Sequence, residues 1–184
     1  MNGLLAFALR SMVTIAISVG LASLGAPDSW AQQKTKLSYK RPPDMSDYTK
    51  QYRIDVGDVP GHQIRIYELK GTYPKGFLSI AGVGVGDEYS RGYSDYVDNN
   101  GRHWGYCEFD MENGDKIFCR VEGSSQKTTN PDGSKRSTYS GISTLTGGTG
   151  KFMGIRGYLR YSGVFDPLAN LNEEQDDGEY WFEQ

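Results

Sequence analysis

Three charged residues lie in segments that are otherwise rich in aromatic side chains: Glu108, Arg120 and Arg160. Inside an apolar cavity, such groups can transfer a proton or polarise a bound molecule, and the cavity walls can hold a reactive substrate in one conformation. These residues are therefore the candidates for a catalytic role. The alternative, which the strand pattern favours, is that they pair across strands on a solvated outer face.

Aromatic side chains are abundant, with 13 Tyr, 7 Phe and 3 Trp among 184 residues. Aromatic and aliphatic side chains line most pockets that bind small apolar molecules. We predict a pocket of this kind, lined by Tyr93, Tyr106, Phe109, Ile117 and Tyr161. For any single member of this set, a place in the core or on the exterior of the domain is the simpler interpretation.

Other site chemistries find little support in the sequence. The glycine-rich segment Gly147–Lys151 lacks the spacing of a phosphate-binding loop and joins two predicted strands. The turns at Asp98–Gly101 and Asp132–Gly133 lack the later glutamate of a calcium loop. His62 and His103 form no metal-ligand pattern, and a net charge of −3 without a basic cluster argues against nucleic acid. We therefore expect no metal, no cofactor and no nucleic-acid partner.

Short alternating segments recur about every ten residues and are separated by turn residues, which predicts a sandwich or a barrel. No segment shows a sustained helical period. We predict an all-β domain over residues 51–184, folded as a single antiparallel β-barrel of eight strands or so, after an extended, mobile leader over residues 32–50. The predicted strands are Gln51–Val56, Gln63–Lys70, Gly76–Val85, Tyr89–Val97, His103–Met111, Asp115–Glu122, Thr138–Thr146, Tyr158–Phe165 and Glu179–Phe182.

The turn at Glu112–Gly114 joins two of these strands, and the side chains on either side indicate its register. A three-residue loop with its glycine in the left-handed region pairs Phe109 with Ile117 and Cys107 with Cys119. One face of the hairpin is then apolar and the other is largely charged. A two-residue loop would mix core and charged residues on one face, so the three-residue loop is favoured.

The chain has two cysteines, Cys107 and Cys119, and this register places them directly opposite each other. Opposed strand residues lie close enough for a disulfide. We therefore favour a Cys107–Cys119 bond, and two small buried thiols are the alternative.

The first 31 residues have the pattern of a secretory signal peptide. Arg10 precedes an apolar run over Met12–Ala26, and Ser29 and Ala31 are small residues at the positions that a signal peptidase recognises. The run is shorter than the roughly 20 apolar residues that a membrane-spanning helix needs. We predict cleavage after Ala31 and an exported product, periplasmic or secreted, that has no membrane attachment.

The most specific local pattern is the glycine-rich segment Thr144–Tyr158. Its glycines permit a tight reversal between two strands, and Phe152 and Ile155 can both point inward from a single helical turn. We predict that a structural turn motif is formed by Gly147, Gly148, Gly150, Phe152 and Gly157.

This segment resembles the Gly-Gly-Thr-Gly-x-Phe stretch of the allene oxide cyclase and dirigent superfamily. The hairpin Gly105–Gly123 is similar to small exported bacterial members of that superfamily that have no assigned role. The resemblance implies an eight-stranded antiparallel β-barrel and, from the habit of the relatives, a homo-oligomer such as a dimer or trimer. No motif in the chain corresponds to the catalytic residues of the plant enzymes, so no catalytic role is transferred.

Three functions are compatible with these patterns. The first is binding of a small apolar or aromatic ligand in the barrel lumen. The second is an isomerase or cyclase of the allene oxide cyclase type that uses the same lumen, and the third is an oligomerising or surface-interaction module without a small ligand. An open lumen with convergent charged groups would favour the enzyme, an open apolar lumen the carrier, and a filled lumen the interaction module.

Overall fold

The computed structural model describes residues 33–41, 43, 45–166 and 171–183 of the chain. The predicted signal peptide, residues 1–31, lies outside these residues. The strands are β1 Thr35–Arg41, β2 Ser46–Asp55, β3 His62–Thr72, β4 Ser79–Ile80, β5 Val83–Val97, β6 Asn100–Met111, β7 Lys116–Thr129, β8 Lys135–Gly148, β9 Ile155–Asp166 and β10 Leu171–Phe182. A short 3₁₀ turn, Gly150–Phe152, separates β8 from β9. In the part of the chain that the structure describes, no helix has the length and apolar character to span a membrane.

The strands form one antiparallel sheet in the order β1-β10-β9-β8-β7-β6-β5-β3-β2, and the two-residue β4 pairs with β5. The prediction of a single all-β antiparallel domain is therefore confirmed. Within the described residues no ladder joins the edge strands β1 and β2, so hydrogen bonds do not close the sheet.

The two edge strands follow each other in the chain and run in the same direction, because an even number of antiparallel steps separates them in the sheet. Arg41, the last residue of β1, is paired with Glu174 of β10. Met45, just before β2, accepts a backbone hydrogen bond from Thr72 of β3 over 3.1 Å. The chain thus passes from one edge of the sheet to the other between Arg41 and Met45. The two edge strands of the sheet are therefore consecutive in the chain.

The prediction of a mobile leader over residues 32–50 is wrong for the residues of it that the structure describes, because β1 and the first half of β2 lie there. Leu37, Tyr39 and Arg41 occupy alternate positions of β1 and are the less exposed residues of that strand. The strand signal in the sequence is weak because a charged residue occupies one of these three inward positions.

The predicted register of the β6–β7 hairpin is confirmed. Cys107 pairs with Cys119 and Phe109 with Ile117, and Gly114 has a φ of +85°. The two cysteines form the predicted disulfide, with their Cα atoms 4.9 Å apart. All four paired side chains are buried, so this face of the hairpin belongs to the interior.

An apolar core fills one end of the curved sheet. Ile117, Leu145 and Ile155 are almost completely buried in it. The 3₁₀ turn places Phe152, which has no exposed surface, in the same core. The turn is held by a hydrogen bond from the backbone N–H of Lys116 to the hydroxyl oxygen of Thr149, the residue just before the turn (2.9 Å). The glycine-rich segment therefore helps to fill this end of the interior. The open space lies at the other end of the sheet.

Replacing Phe109 by Ala should lower the free energy of unfolding by about 3 kcal/mol, because its side chain is 2% exposed and truncation leaves a cavity. Phe118, on the opposite face of the same hairpin and 36% exposed, is the matched control, and Phe118→Ala should cost less than about 1 kcal/mol. Urea denaturation of both variants measures the difference. A loss below about 1 kcal/mol for Phe109→Ala would contradict the assignment of the two faces.

Candidate functional site

A cavity of about 450 Å³ lies inside the curved sheet, next to the apolar core. Phe109, Val121 and Leu159 form its apolar floor. Its wall extends to the turn between β5 and β6, at Asn99, and to the end of β9, at Phe165. The lumen is therefore open, and the remainder of its wall carries many polar and charged side chains.

A buried arginine connects three strands on one side of this cavity. Arg41 of β1 lies 3.0 Å from Glu88 of β5 through Nη2, and 3.0 Å from Glu174 of β10 through Nε. Asp176 of β10 lies 3.8 Å from the same Nη2. The four side chains, called here the Arg41 cluster, are each at most 15% exposed, so their ion pairs are poorly screened by water. The Tyr73 hydroxyl donates a further hydrogen bond to Glu88 over 2.8 Å.

Asp176 differs from the other carboxyl groups of the Arg41 cluster. Burial raises the pKa of Asp176 to about 8, although the positive charge of Arg41 opposes this rise. At neutral pH the carboxyl group is therefore mostly protonated and can donate a hydrogen bond. Its Oδ2 atom has no hydrogen-bond partner. Among the described residues, no group of acidic, histidine or cysteine side chains converges as a metal site requires.

Further polar atoms on the cavity wall are buried without a hydrogen-bond partner. They are the hydroxyl groups of Tyr39, Ser46 and Ser94, and Nε of Arg41, which forms the ion pair with Glu174. Tyr39 is paired directly with Asp176 across the β1–β10 ladder. Because buried polar groups in proteins are nearly always hydrogen-bonded, these groups indicate where a bound molecule would complete the bonding.

Two glycines on adjacent strands let one tyrosine side chain extend across the inner face of the sheet. Tyr161, Gly141, Gly123 and His103 occupy successive paired positions on four neighbouring strands. Since neither glycine has a side chain, the Tyr161 hydroxyl lies 2.7 Å from His103 Nε2. A Cβ atom at Gly123 would lie 2.7 Å from that nitrogen, so the glycines are needed for this contact.

His103 joins two tyrosines into one hydrogen-bonded chain. Its Nδ1 lies 3.0 Å from the Tyr96 hydroxyl, and burial lowers the pKa of His103, which keeps the imidazole neutral at neutral pH. The Tyr161 hydroxyl donates to the backbone carbonyl of Glu122 over 3.2 Å. Nε2 is then the donor to Tyr161, and Nδ1 accepts from Tyr96, because a neutral imidazole has one of each. These hydrogen bonds fix the orientation of the Tyr96, His103 and Tyr161 side chains on the cavity wall.

Tyr139 occupies the cavity wall in a similar way. Its ring lies over Gly163 of the neighbouring strand, where a Cβ atom would come within 2.6 Å of the ring carbon Cε2. Burial raises the pKa of Tyr139, and the nearby Glu174 raises it further, so the phenol stays uncharged. Glycine on the inner face thus makes room for a tyrosine that belongs to the adjacent strand.

Of the residues predicted to line the pocket, Phe109 and Tyr161 lie on the cavity wall. Ile117 is fully buried in the apolar core, outside the cavity lining. Whether any of these residues contacts a ligand stays a prediction.

Tyr93 and Tyr106 lie on the outer face, 42% and 64% exposed, so their predicted position in the lumen is wrong. Successive side chains of a strand point to opposite faces, and the buried neighbours Ser94 and Cys107 occupy the inner positions. Aromatic character alone did not distinguish the two faces.

The three catalytic candidates are also outside the cavity lining. Glu108 forms an ion pair with Lys116 over 2.8 Å. Arg120 is exposed, and the Arg160 guanidinium lies 4.9 Å from the centre of the Tyr158 ring. The structure thus has the alternative arrangement, charged side chains on the outer face, and offers no cavity position for a catalytic role of these three residues.

Sequence reasoning missed the Arg41 cluster because it missed most of β10. That strand begins at Leu171, whereas the sequence predicted a strand only from Glu179. The acidic run Glu173–Asp177 is typical of a solvated segment. The usable signal was the alternation that starts at Glu174, where every second residue up to Tyr180 is on the inner face.

No family model matches the chain, and no curated protein does. Among solved structures, the chain is similar to a pterocarpan synthase dirigent protein, with 11% sequence identity, coverage of 83% of this chain and 87% of that chain, and a TM-score of 0.42. A similarity at this level assigns no role to any residue. The finer part of the sequence resemblance, to small exported bacterial members of the superfamily, stays a prediction.

Gly163→Ala should lower the free energy of unfolding by about 2 kcal/mol, because the new methyl group overlaps the Tyr139 ring. The double variant Tyr139→Ala, Gly163→Ala should be as stable as Tyr139→Ala alone, since the ring is then gone. Gly86→Ala is the control, because its Cβ would meet only a backbone oxygen at 3.4 Å. Urea denaturation provides all four values, and strictly additive losses would contradict the proposed overlap.

The raised pKa of Asp176 makes stability depend on pH. The folded protein holds this proton more tightly than the unfolded chain, so the stabilisation is complete below the ordinary value of 3.8 and is lost as the pH rises towards about 8. Asp176→Asn removes the titration, so its stability relative to the native chain should increase between pH 5 and pH 9 by at least about 1.4 kcal/mol, the equivalent of one pKa unit.

The control for this measurement is Asp177→Asn. Asp177 is the next residue on the same strand, is exposed, and accepts a hydrogen bond from Ser38 over 2.6 Å. The free energy of unfolding of Asp177→Asn should differ from that of the native chain by the same amount at every pH in this range. A constant difference between Asp176→Asn and the native chain would show that the carboxyl group does not titrate in this window.

Proposed function

We propose that the protein binds a small, largely apolar or aromatic molecule in the cavity inside its sheet. The observation that carries this proposal is the cavity of about 450 Å³, whose apolar floor lies beside buried hydroxyl and carboxyl groups without partners. Small-molecule sites typically have volumes of about 300–1,000 Å³, apolar walls and a few convergent polar groups. The cavity has a volume in this range, an apolar floor and several polar groups that converge on it.

The unpartnered groups define what the polar part of the ligand must provide. The hydroxyls of Tyr39 and Ser94 can each donate a hydrogen bond, and so can the protonated carboxyl group of Asp176. A ligand that satisfies them carries oxygen atoms that accept hydrogen bonds, such as a carbonyl, an ether or a phenolic oxygen. A pure hydrocarbon would leave all three groups unpaired, at a penalty of about 1–3 kcal/mol each.

We further propose that the protein acts outside the cytoplasm. The sequence of residues 1–31 supports export, and the Cys107–Cys119 disulfide is compatible with it, because disulfides persist mainly in oxidising compartments.

The second candidate function is an isomerase or cyclase that uses the same cavity, and the state of Asp176 favours it. A carboxylic acid that is protonated at neutral pH can act as a general acid towards an oxygen atom of a bound molecule. The carboxylate formed by this proton transfer would lie 3.8 Å from the Arg41 guanidinium, which stabilises its charge. In this interpretation Asp176 replaces the candidates on the outer face.

The outer surface supports a homo-oligomer, a dimer or trimer. Tyr52, Ile66 and Tyr93 are directly paired on three neighbouring strands, with the Ile54–Ile64 pair beside them. These side chains are 41–67% exposed, and two of them, Tyr52 and Ile54, belong to the edge strand β2. Contiguous apolar surface of this kind commonly marks a protein contact.

Native mass spectrometry of the protein purified from the periplasm tests the ligand and the assembly together. We expect one small molecule per chain and a defined oligomer. If the molecule that native Asp176 protein releases is an isomer of the one that Asp176→Asn releases, the enzyme is supported. An identical molecule from both supports a binding protein.

A neutral aromatic probe, naphthalene-2-carboxamide, tests the cavity independently of any co-purified molecule. Isothermal titration should give one site per chain in the native protein. Ser125→Trp places a large ring at a half-buried position on the cavity wall and should weaken probe binding at least 10-fold. Ser124→Trp, the neighbouring exposed position, should leave binding within about 2-fold of the native value. Absence of probe binding together with absence of a co-purified molecule would contradict the proposed function.

A further inference from the structure

Two arginines face each other directly at the rim of the cavity. Arg53 of β2 and Arg65 of β3 are paired across the ladder. Both lie on the inner face, because their neighbours Ile54, Ile64 and Ile66 are exposed on the outer one. Arg65 is half-buried and lines the cavity, whereas Arg53 is more exposed, at the rim.

Neither guanidinium has an acidic partner among the residues that the structure describes. Arg65 donates to the amide oxygen of Gln63 from Nε (3.2 Å) and Nη2 (3.0 Å), and Arg53 donates to that of Gln51 from Nε (2.9 Å) and Nη2. Asp55 occupies the next inward-facing position of β2 after Arg53. Its carboxylate accepts a hydrogen bond from the side-chain amide of Gln63 (2.9 Å). Like charges directly opposed across a ladder destabilise a sheet, so an anion bound between the two guanidinium groups would relieve their repulsion.

The position of Arg65 is fixed by its surroundings. Its guanidinium lies 5.5 Å from the centre of the Tyr96 ring, and two of its N–H groups are held by Gln63. On the neighbouring strand β5, Ser94 is paired directly with Arg65. The Ser94 hydroxyl is buried, with 1% of the residue exposed, and has no hydrogen-bond partner. An oriented guanidinium therefore lies beside an unused buried donor.

We propose that Arg53, Arg65 and Ser94 bind a carboxylate of the cavity ligand, which makes that ligand an aromatic or apolar carboxylic acid. This inference rests on the proposed function. A carboxylate has two oxygens in one plane and accepts paired N–H groups from guanidinium forks. The Arg41 cluster, with three acidic side chains around one guanidinium, suits a carboxylate less well than the arginine pair does, so the carboxylate lies at the rim. The apolar body of the ligand then points towards the floor.

The test compares two probes of the same shape, naphthalene-2-carboxylate and naphthalene-2-carboxamide. Isothermal titration of the native protein should give at least 10-fold tighter binding of the carboxylate. Arg65→Gln should weaken carboxylate binding at least 10-fold and change carboxamide binding less than 2-fold. Arg102→Gln, which removes the same charge from an exposed position on β6, should change neither affinity more than 2-fold.

Arg53→Gln provides a second measurement that does not depend on Arg65. Without ligand, removal of the opposed charge should raise the melting temperature by about 1–2 °C. With saturating naphthalene-2-carboxylate, the native protein should gain more than the variant. A lower melting temperature of ligand-free Arg53→Gln would overturn the argument from charge repulsion.

The outcomes separate this inference from the proposed function. Equal binding of both probes, unaffected by Arg65→Gln, would overturn the carboxylate site and leave the ligand-binding cavity intact. Binding of neither probe, with no co-purified molecule, would overturn both. Sodium sulfate binding as tightly as naphthalene-2-carboxylate would assign the arginine pair to free oxyanions and overturn the carboxylic acid as ligand.

Discussion

The buried charge of Arg41 is the constraint on which the architecture of the interior depends. A guanidinium removed from water must be paired, because leaving it uncompensated costs several kcal/mol. Here the partners come from β5 and β10, while Arg41 itself ends β1 at the edge of the sheet. In the part of the chain that the structure describes, no backbone ladder joins the two edges, and these ion pairs connect β1 across the interior to β5. The same requirement brings three carboxyl groups into the cavity.

Among the three acids beside Arg41, Asp176 is distinguished by its raised pKa. Glu88 and Glu174 each lie 3.0 Å from the guanidinium, and Asp176 is farther away and more deeply buried. Desolvation therefore dominates for Asp176, which keeps its proton. The ion pairs that connect β1 to β5 and β10 thereby leave a protonated acid in the cavity.

The interior is divided by the size of its side chains. At one end, large aliphatic and aromatic residues and the 3₁₀ turn fill the space, and at the other end glycines and serines occupy many inner positions. Tyr139 and Tyr161 lie across these small residues, and the Tyr161 hydroxyl contacts His103 of β6. The Arg41 cluster, with one cationic and three acidic side chains, lies on one side of the cavity, and the Arg53–Arg65 pair lies at its rim. The proposed carboxylate ligand would place its anionic end at that pair.

Local features of this protein could be predicted from the sequence alone. The all-β class, the register of the β6–β7 hairpin, the disulfide and the inward position of Phe152 all follow from alternation and turn chemistry within a few residues of each other. The sequence did not locate β1 or most of β10, since charged residues at inner positions hide the alternation. It also named Tyr106 as a pocket residue, although the predicted register places Tyr106 on the hairpin face opposite Phe109, because aromatic character does not show which face is enclosed. Only the tertiary structure brought Arg41, Glu88 and Asp176 together, because their pairing depends on strands that are distant in the chain and adjacent across the curved sheet.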